Sequence, residues 1–305
     1  AGRIAAEGIA KVAIDGNTAV VVEVNSETDF VAKNAIFQEF VQAVADKALT
    51  VDTEKAGDGE DVVSILDMKA DLDDKILKIG EKISIRRFEK VTADVVASYI
   101  HGGGRIGVLV AGNGASDDAA KEALTNIAMQ IAAMNPQYIS RDEISADELA
   151  KMKEITIDSA LNDPFSLPKP VLSKLIEKAV AGVWSAEDVA IYEEKKSNMN
   201  FLPNFLSKEA KAQLAEIACA DKEEISGNKI FSGLVEGRIS KQMKEICLLD
   251  QVYVKAEDGK QTVAAYLKSV NPALKIAKFV RFEVGEGMEK KNEDFAAEVA
   301  KQMNV

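Results

Sequence analysis

The sequence predicts an α+β fold of two similar subdomains, each an antiparallel sheet with helices, and three observations support it. β-branched runs flank a glycine turn twice, and each pair of runs is followed by apolar residues at helical spacing. The triplet Arg-Phe-Glu then occurs in a strand-like segment, at residues 87–89 and again at 281–283. The second triplet lies much further from its turn than the first, so we expect a long helical, coiled-coil-like insertion in the second subdomain.

The first subdomain opens with a predicted hairpin. Residues 8–14 and 19–24 are β-branched runs on either side of an Asp-Gly-Asn turn. From about Asp29 the apolar period changes from two to about 3.6, which predicts an amphipathic helix. A helical stretch at 62–79 and a third strand at 83–89 complete this half. The apolar stripe of the amphipathic helix consists of Phe30, Phe37, Phe40, Val41 and Val44.

The same order of elements recurs in the second subdomain. Residues 95–100 and 106–110 flank three consecutive glycines, which predicts a second hairpin. A helix is predicted at 117–134, and the closing strand at 276–284. The matching order of hairpin, helix and closing strand supports the repeat more strongly than the shared triplet does.

The pattern of the insertion predicts a series of helices. Ser140–Glu143 and Ser145–Glu148 both fit the Ser-x-x-Glu capping box, and the second precedes a helical run at 146–161. Further helical runs lie near 170–182, 186–196, 207–218 and 228–249. The last run carries an apolar seam of Leu234, Val235, Ile239, Met243 and Ile246. We expect this seam to pack within the insertion or against a second copy of the chain.

Domain boundaries follow from these elements. The predicted parts are an N-terminal core subdomain at 1–91, a C-terminal core subdomain at 92–141 and 251–285, the helical insertion at 142–250, and a C-terminal module with a short helix at 286–305.

Composition excludes several classes of protein. Fifty acidic against 38 basic side chains give a net charge of −12, which disfavours direct nucleic-acid binding. No apolar run approaches the roughly 18 residues of a membrane span. Cys219, Cys247 and the single histidine do not form a zinc-ligand set, so we expect no metal and two buried, reduced thiols.

Two motifs imitate catalytic sites. Residues 102–107 fit GxGxxG, but the pattern binds a dinucleotide only between a strand and a helix, and here it joins two predicted strands. His101 followed by three glycines imitates an esterase oxyanion loop, but the sequence has no GxSxG nucleophile elbow. We therefore expect no catalytic residue and no cofactor, and a binding module rather than an enzyme. The alternative is an oxidoreductase or hydrolase that uses the glycine turn.

Five segments, in order, resemble the elongation factor Ts family. The most specific is residues 23–34, Glu-Val-Asn-Ser-Glu-Thr-Asp-Phe-Val-Ala-Lys-Asn, which we call the signature segment. The others lie at 78–87, at 98–110 with a gap, at 234–238 and at 279–287.

The resemblance implies a fold and a role. The family has a bilobed core, a helical dimerisation arm in the second lobe and a C-terminal module, and it acts in the bacterial cytoplasm. Its members bind elongation factor Tu carrying GDP, loosen the nucleotide and its magnesium, and leave when GTP enters. Two departures are the family's N-terminal helical domain, which this sequence lacks, and a longer stretch at about 167–224.

The resemblance also assigns residues that contact elongation factor Tu. It implies that Asp29 and Phe30 form a wedge beside the magnesium and phosphate site of that partner. Ile79, Gly80 and His101 would contact the same G domain, Val254 another domain of the partner, and Phe295 and Val299 the G domain again. Lys255 stands where the family often has an apolar residue. The rest of the signature around the wedge comprises Thr28, Val31, Ala32, Lys33 and Asn34.

Pattern and resemblance disagree about the wedge. Phe30 shares its helical stripe with residues such as Phe37, Val41 and Val44, so the pattern alone predicts a core position. The pattern alone also predicts that Val254 is buried. The resemblance instead places Phe30 on the surface as a contact residue. Independently of the resemblance, we expect Asp29 to hold the start of the helix through backbone N–H groups or the helix dipole.

Overall fold

The computed structural model describes residues 4–288. The chain divides into two compact units. The first contains the chain up to Ile139 and again from Ile246, and the second is Ser140–Glu245, which we call the arm.

Two antiparallel sheets form the centre of the first unit. The strands are β1 (Glu7–Asp15), β2 (Thr18–Ser26), β3 (Lys55–Ala56), β4 (Ile83–Thr92), β5 (Val95–His101), β6 (Ile106–Asn113) and β7 (Lys275–Glu283). One sheet has the order β1-β2-β4-β3 and the other the order β5-β6-β7. All neighbouring strands in both sheets are antiparallel.

Helices lie in both units. They are α1 (Asp29–Ala32), α2 (Ala35–Thr50), α3 (Val62–Leu66), α4 (Lys69–Ile79), α5 (Asp118–Met134), α6 (Ala146–Leu161), α7 (Lys169–Gly182), α8 (Ala186–Lys195), α9 (Lys208–Ala220), α10 (Lys222–Ser226), α11 (Lys229–Ile246) and α12 (Val263–Val270). The mixture of helices with two antiparallel sheets confirms the predicted α+β class.

The first unit is layered, with helices outside and the two sheets packed face to face. Alternate residues of β2 point to opposite sides of its sheet. Val20 and Val22 join Phe37 of α2 in one core, while Val21 faces Leu109 of β6 in the core between the sheets. Because both faces are covered, β2 is apolar along most of its length, like the strand of a fully buried sheet.

Glycine allows the two sheets to approach closely. A Cβ at Gly107 would lie 2.9 Å from Val21 Cγ2 and 3.0 Å from Ala10 Cβ. Gly104 has φ +109, and its carbonyl accepts a hydrogen bond of 2.7 Å from the amide of Ala10. Of the glycines that imitate GxGxxG, Gly102 and Gly104 lie in the turn between β5 and β6, and Gly107 lies in β6. Gly104 and Gly107 bring the second hairpin into contact with the first sheet.

Several predicted elements differ from the structure. The helical stretch at 62–79 is two helices, because Asp67 ends α3 in the left-handed conformation at φ +52. Ser145 and Glu148 form a capping box, but Ser140 makes no side-chain cap and precedes only a 3-10 turn. The last predicted run of the insertion ends at Ile246 rather than at residue 249. Helix α12 and strand β3 were not predicted.

The arm has a core of its own. Phe231 and Val235 of α11 are buried in it, and Leu234 and Ile239 pack against it half-buried. Part of the predicted seam is therefore covered within one chain. The prediction of two buried thiols is wrong for Cys219, which is exposed on α9, whereas Cys247 is buried.

Candidate functional site

Helix α1 is a single turn with its own cap. The side chain of Thr28, at the N-cap, accepts a hydrogen bond of 3.3 Å from the amide of Val31. A second helix, α2, begins directly after it, and its N-cap is Asn34, which accepts from the amide of Phe37 at 3.2 Å. Thr28, and not Asp29, therefore caps the turn, and Asp29 is its first residue.

Because α1 and α2 are separate helices, Phe30 does not lie on the apolar stripe of α2. Phe30 is 83% exposed, whereas Phe37 is completely buried. Val31 and Ala32, on the other side of the turn, are buried against the first sheet. The core position that spacing predicted for Phe30 is wrong, because helical spacing holds only within one uninterrupted helix.

A second loop supports this turn. Ser26, at the end of β2, pairs with Ile83, at the start of β4, so the loops beyond them lie side by side. Thr28 donates to the carboxylate of Glu81 from its hydroxyl at 2.6 Å and from its amide at 3.2 Å. In return, the amide of Lys82 donates to Glu27 Oε1 at 3.0 Å.

Ile79 is the last residue of α4, and Gly80 begins this second loop. Gly80 ends α4 in the left-handed conformation, φ +80, and its amide donates to the carbonyl of Ile76 at 2.8 Å. Gly80 is exposed and Ile79 is half-buried against the first core. Leu77, one turn earlier, is 84% exposed. It was not predicted, although an apolar residue between the charged residues of α4 was the available signal.

His101 lies at the end of β5, next to the glycine turn. Its side chain is exposed, and Nδ1 lies 3.0 Å from the hydroxyl oxygen of Tyr99. The ring centroids of the two residues are 5.9 Å apart. Tyr99 thus restricts the direction of the imidazole, and it too was absent from the predicted site.

A cleft of about 460 Å³ separates the signature segment from the glycine turn. Asp29, Lys33 and Glu27 contribute to one wall, and Gly102 and Arg105 to the other. Among the predicted residues, Thr28, Asp29, Ala32 and Lys33 line this cleft, whereas Phe30, Ile79, Gly80, His101 and Val254 do not.

Hydrogen bonds between the main chain around Val254 and a buried glutamine keep the Val254 side chain exposed. Buried Gln130 donates to the carbonyl of Val252 at 3.0 Å and accepts from the amide of Val254 at 2.8 Å. Tyr253 turns inward between them and stacks on Tyr266 at 4.2 Å. Val252 and Val254 are each 49% exposed, so the buried position that the pattern predicted for Val254 is wrong.

The remaining residues are Lys255, which departs from the family, and two predicted contacts near the C-terminus. Lys255 is exposed, and its ammonium donates to Asn126 Oδ1 at 2.8 Å. Phe295 and Val299 lie outside the described residues, as does most of the predicted C-terminal module.

A buried charge network is centred on Glu23, the first residue of the signature segment. Glu23 on β2 is completely buried and accepts from Arg87 at 2.6 Å, from Arg86 at 3.2 Å and from the amide of Gly285 at 2.9 Å. Arg86 also donates to Asp58 at 3.0 Å, and this hydrogen bond lowers the pKa of Asp58. Because a buried carboxylate is tolerated only when it is paired, the network ties the segment after β7 to the first sheet.

Within residues 4–288, no cluster of His, Cys, Asp and Glu side chains has the arrangement of a metal site. No helix in that part of the chain is long and apolar enough to cross a membrane.

The fold and the site define an α+β protein with exposed apolar side chains, such as Phe30 on its capped turn. A family model described as "Elongation factor TS" matches residues 27–286. The chain is 39% identical to "Elongation factor Ts" of Clostridioides difficile (strain 630) over 311 residues, which cover 99% of this chain and 82% of that protein. It is 35% identical to "Elongation factor Ts" of Limosilactobacillus reuteri (strain DSM 20016) over 309 residues, with 99% and 81% covered. The chain belongs to the elongation factor Ts family of translation elongation factors.

Proposed function

We propose that this protein is a guanine nucleotide exchange factor that binds elongation factor Tu carrying GDP and promotes release of the GDP. The observation that carries the proposal is the 83% exposure of Phe30 on a turn whose other side is packed into a core. A large apolar side chain gains little by facing water, so a well-anchored exposed phenylalanine fits a contact with another protein.

The wedge would act by differential binding. An exchange factor must bind its nucleotide-free partner more tightly than the GDP-bound partner. By linkage, bound GDP lowers the partner's affinity for the factor by the same ratio by which the bound factor lowers its affinity for GDP. The ring of Phe30 would displace packing beside the magnesium and phosphate site, with the carboxylate of Asp29 next to it. The metal and the nucleotide belong to the partner, and this chain would hold neither.

The contacts of Ile79, Gly80, His101 and Val254 would supply affinity that does not depend on the nucleotide. Gly80, His101 and Val254 are exposed, and each is held by a local hydrogen bond. The Gly80 amide donates to Ile76, the His101 ring shares a hydrogen bond with the Tyr99 hydroxyl, and the Val254 amide donates to Gln130. Half-buried Ile79 is the exception, so its part in a contact would be smaller.

A release assay tests the proposal. Elongation factor Tu loaded with fluorescent GDP is mixed with excess unlabelled GDP, with and without this chain. We expect release to accelerate with the concentration of the chain and then to saturate, and the chain alone to bind no labelled nucleotide. Release at the unassisted rate would contradict the proposal. Binding of the nucleotide by the chain alone would favour the alternative chemistry at the glycine turn.

We also propose that the arm supports a homodimer. Val235 of the predicted seam lies in the core of the arm, and Leu234 and Ile239 pack against it, so a second copy would use other apolar side chains. Phe201 and Phe205 are 57% and 50% exposed, and they line one shallow depression with Lys195, whose ammonium lies 4.5 Å from the ring centre of Phe205.

A further inference from the structure

We propose that Glu81 is a positioning residue for the wedge: its carboxylate clamps Thr28 and thereby sets the direction in which Phe30 is presented. The inference rests on the proposed exchange function and deepens it. Glu81 neither belongs to the signature segment nor was among the predicted contacts.

The turn that carries Phe30 needs outside support. Helix α1 has four residues, and one isolated turn of helix is not stable in water. Its burial is limited to Val31 and Ala32, while Asp29 and Phe30 on the other side are exposed. The direction of the phenylalanine ring therefore depends on how firmly Thr28, the N-cap of the turn, is held.

Glu81 supplies that support through two hydrogen bonds. Its two carboxylate oxygens accept separately from the hydroxyl and the amide of Thr28, at 2.6 and 3.2 Å. Hydrogen bonds to an ionised acceptor are shorter and stronger than those between neutral groups. The carboxylate thus holds Thr28 by its main chain and by its side chain.

The same contact sets the orientation of the cap. When the Thr28 hydroxyl donates its proton to Glu81, its lone pairs remain for the amide of Val31, which lies 3.3 Å away. A hydroxyl without that acceptor would be free to rotate and would cap the turn less effectively. Glu81 therefore acts on α1 through Thr28 and need not touch the partner.

Glu27 and the amide of Lys82 make the connection reciprocal. Each of the two loops contributes a glutamate that accepts from the main chain of the other. The loop with Glu81 also contains Gly80, so the clamp would place two of the proposed contact regions in one fixed relation.

Two substitutions test this inference. Glu81→Ala removes both acceptors, and Glu81→Gln keeps one. In the release assay we expect Glu81→Ala to lower the saturating rate roughly tenfold, the loss typical of a charged hydrogen bond. Glu81→Gln should lie between it and the unchanged chain. The concentration for half-maximal release should change less than about twofold, because the other contacts remain.

Glu54 provides the matched control. It is exposed, and within residues 4–288 its side chain makes no hydrogen bond or ion pair, although its carbonyl accepts from the amide of Lys90. Glu54→Ala should therefore release GDP at the unchanged rate. Thermal melting of all three variants should show similar midpoints. A fall in midpoint that accounts for the slower release would overturn the positioning role.

Amide exchange tests the clamp without the partner. In Glu81→Ala, the amides of Thr28 and Val31 should exchange with solvent faster. The amide of Ala10, bonded to Gly104 in the core, should not change. Unchanged protection at Thr28 and Val31 would overturn the inference.

The assay also separates this inference from the proposed function. Normal release by Glu81→Ala beside slow release by Phe30→Ala overturns the positioning role alone. No acceleration by the unchanged chain overturns both.

Discussion

Phe30 and Phe37 are seven residues apart, but Phe30 is exposed and Phe37 is buried. We therefore expect their substitution by alanine to have different effects. Phe30→Ala should change the free energy of unfolding by less than about 0.5 kcal/mol, as an exposed truncation does, while GDP release falls severely. Phe37→Ala should cost about 3–5 kcal/mol of stability, because it leaves a cavity in the core. Melting curves and release rates on both variants separate the two roles. A large loss of stability in Phe30→Ala would contradict the exposed wedge, as would normal release.

Other single residues owe their exposure to a neighbour. Val254 is held outward by Gln130, and His101 is restricted by Tyr99. The apolar pattern of a sequence does not show which hydrogen-bond partners, such as Gln130 or Tyr99, will orient a residue in the fold. This is why spacing predicted Val254 to be buried.

At the scale of elements, the glycine turn between β5 and β6 has a structural role that substitution can measure. In Gly104→Ala the new Cβ would lie 2.8 Å from Ile9 Cβ at a φ of +109, so we expect a loss of about 2–4 kcal/mol from strain and overpacking. Gly103→Ala is the matched control, since φ is +68 but no atom lies within 4 Å, and it should cost about 1 kcal/mol. Denaturant unfolding gives both values. Equal losses would show that contact with β1 is unimportant.

The N-termini of two helices in the arm share one carboxylate. Asp188 accepts from the hydroxyl of Ser207 at 2.7 Å and from that of Ser185 at 3.0 Å. These two serines cap α9 and α8 respectively. Burial by itself raises the pKa of Asp188, but the hydrogen bonds from Ser207 and Ser185 outweigh it, and the pKa is lowered.

Asp188→Asn should therefore destabilise the arm by about 1.5–3 kcal/mol at neutral pH. Because the pKa is lower in the folded state, the stabilisation is present above the ordinary aspartate pKa of about 4 and is lost as the pH falls through the folded value. The difference in unfolding free energy between the unchanged chain and Asp188→Asn should therefore become smaller as the pH falls through that range. Fluorescence of Trp184, the single tryptophan and a buried residue of the arm, reports this unfolding. A difference that does not depend on pH would contradict the role of the charge.

At the scale of the whole molecule, the open prediction is the mass in solution. The proposed homodimer should scatter light as twice 32.9 kDa at tens of micromolar. Replacing Phe201 and Phe205 by serine should shift it to 32.9 kDa without unfolding the arm, because both side chains are about half exposed. A mass of 32.9 kDa for the unchanged chain at that concentration would remove the dimer proposal.

The sequence by itself determined the α+β class and the order of most strands and helices, without β3 and α12. These follow from local periodicity, glycine turns and capping residues, such as Ser145 with Glu148. It also determined the family, through the signature segment. Local signals failed where one residue interrupts a helix, as Asp67 does between α3 and α4.

Only the tertiary structure decided which way Phe30 faces and what holds it there. Thr28 and Glu81 are 53 residues apart in the chain, and they meet because β2 and β4 are neighbours in a sheet. The packing of that sheet on the second one likewise requires Gly107 to lack a side chain. Such contacts depend on strand pairing and layer packing between distant segments, which the period of a single segment does not encode.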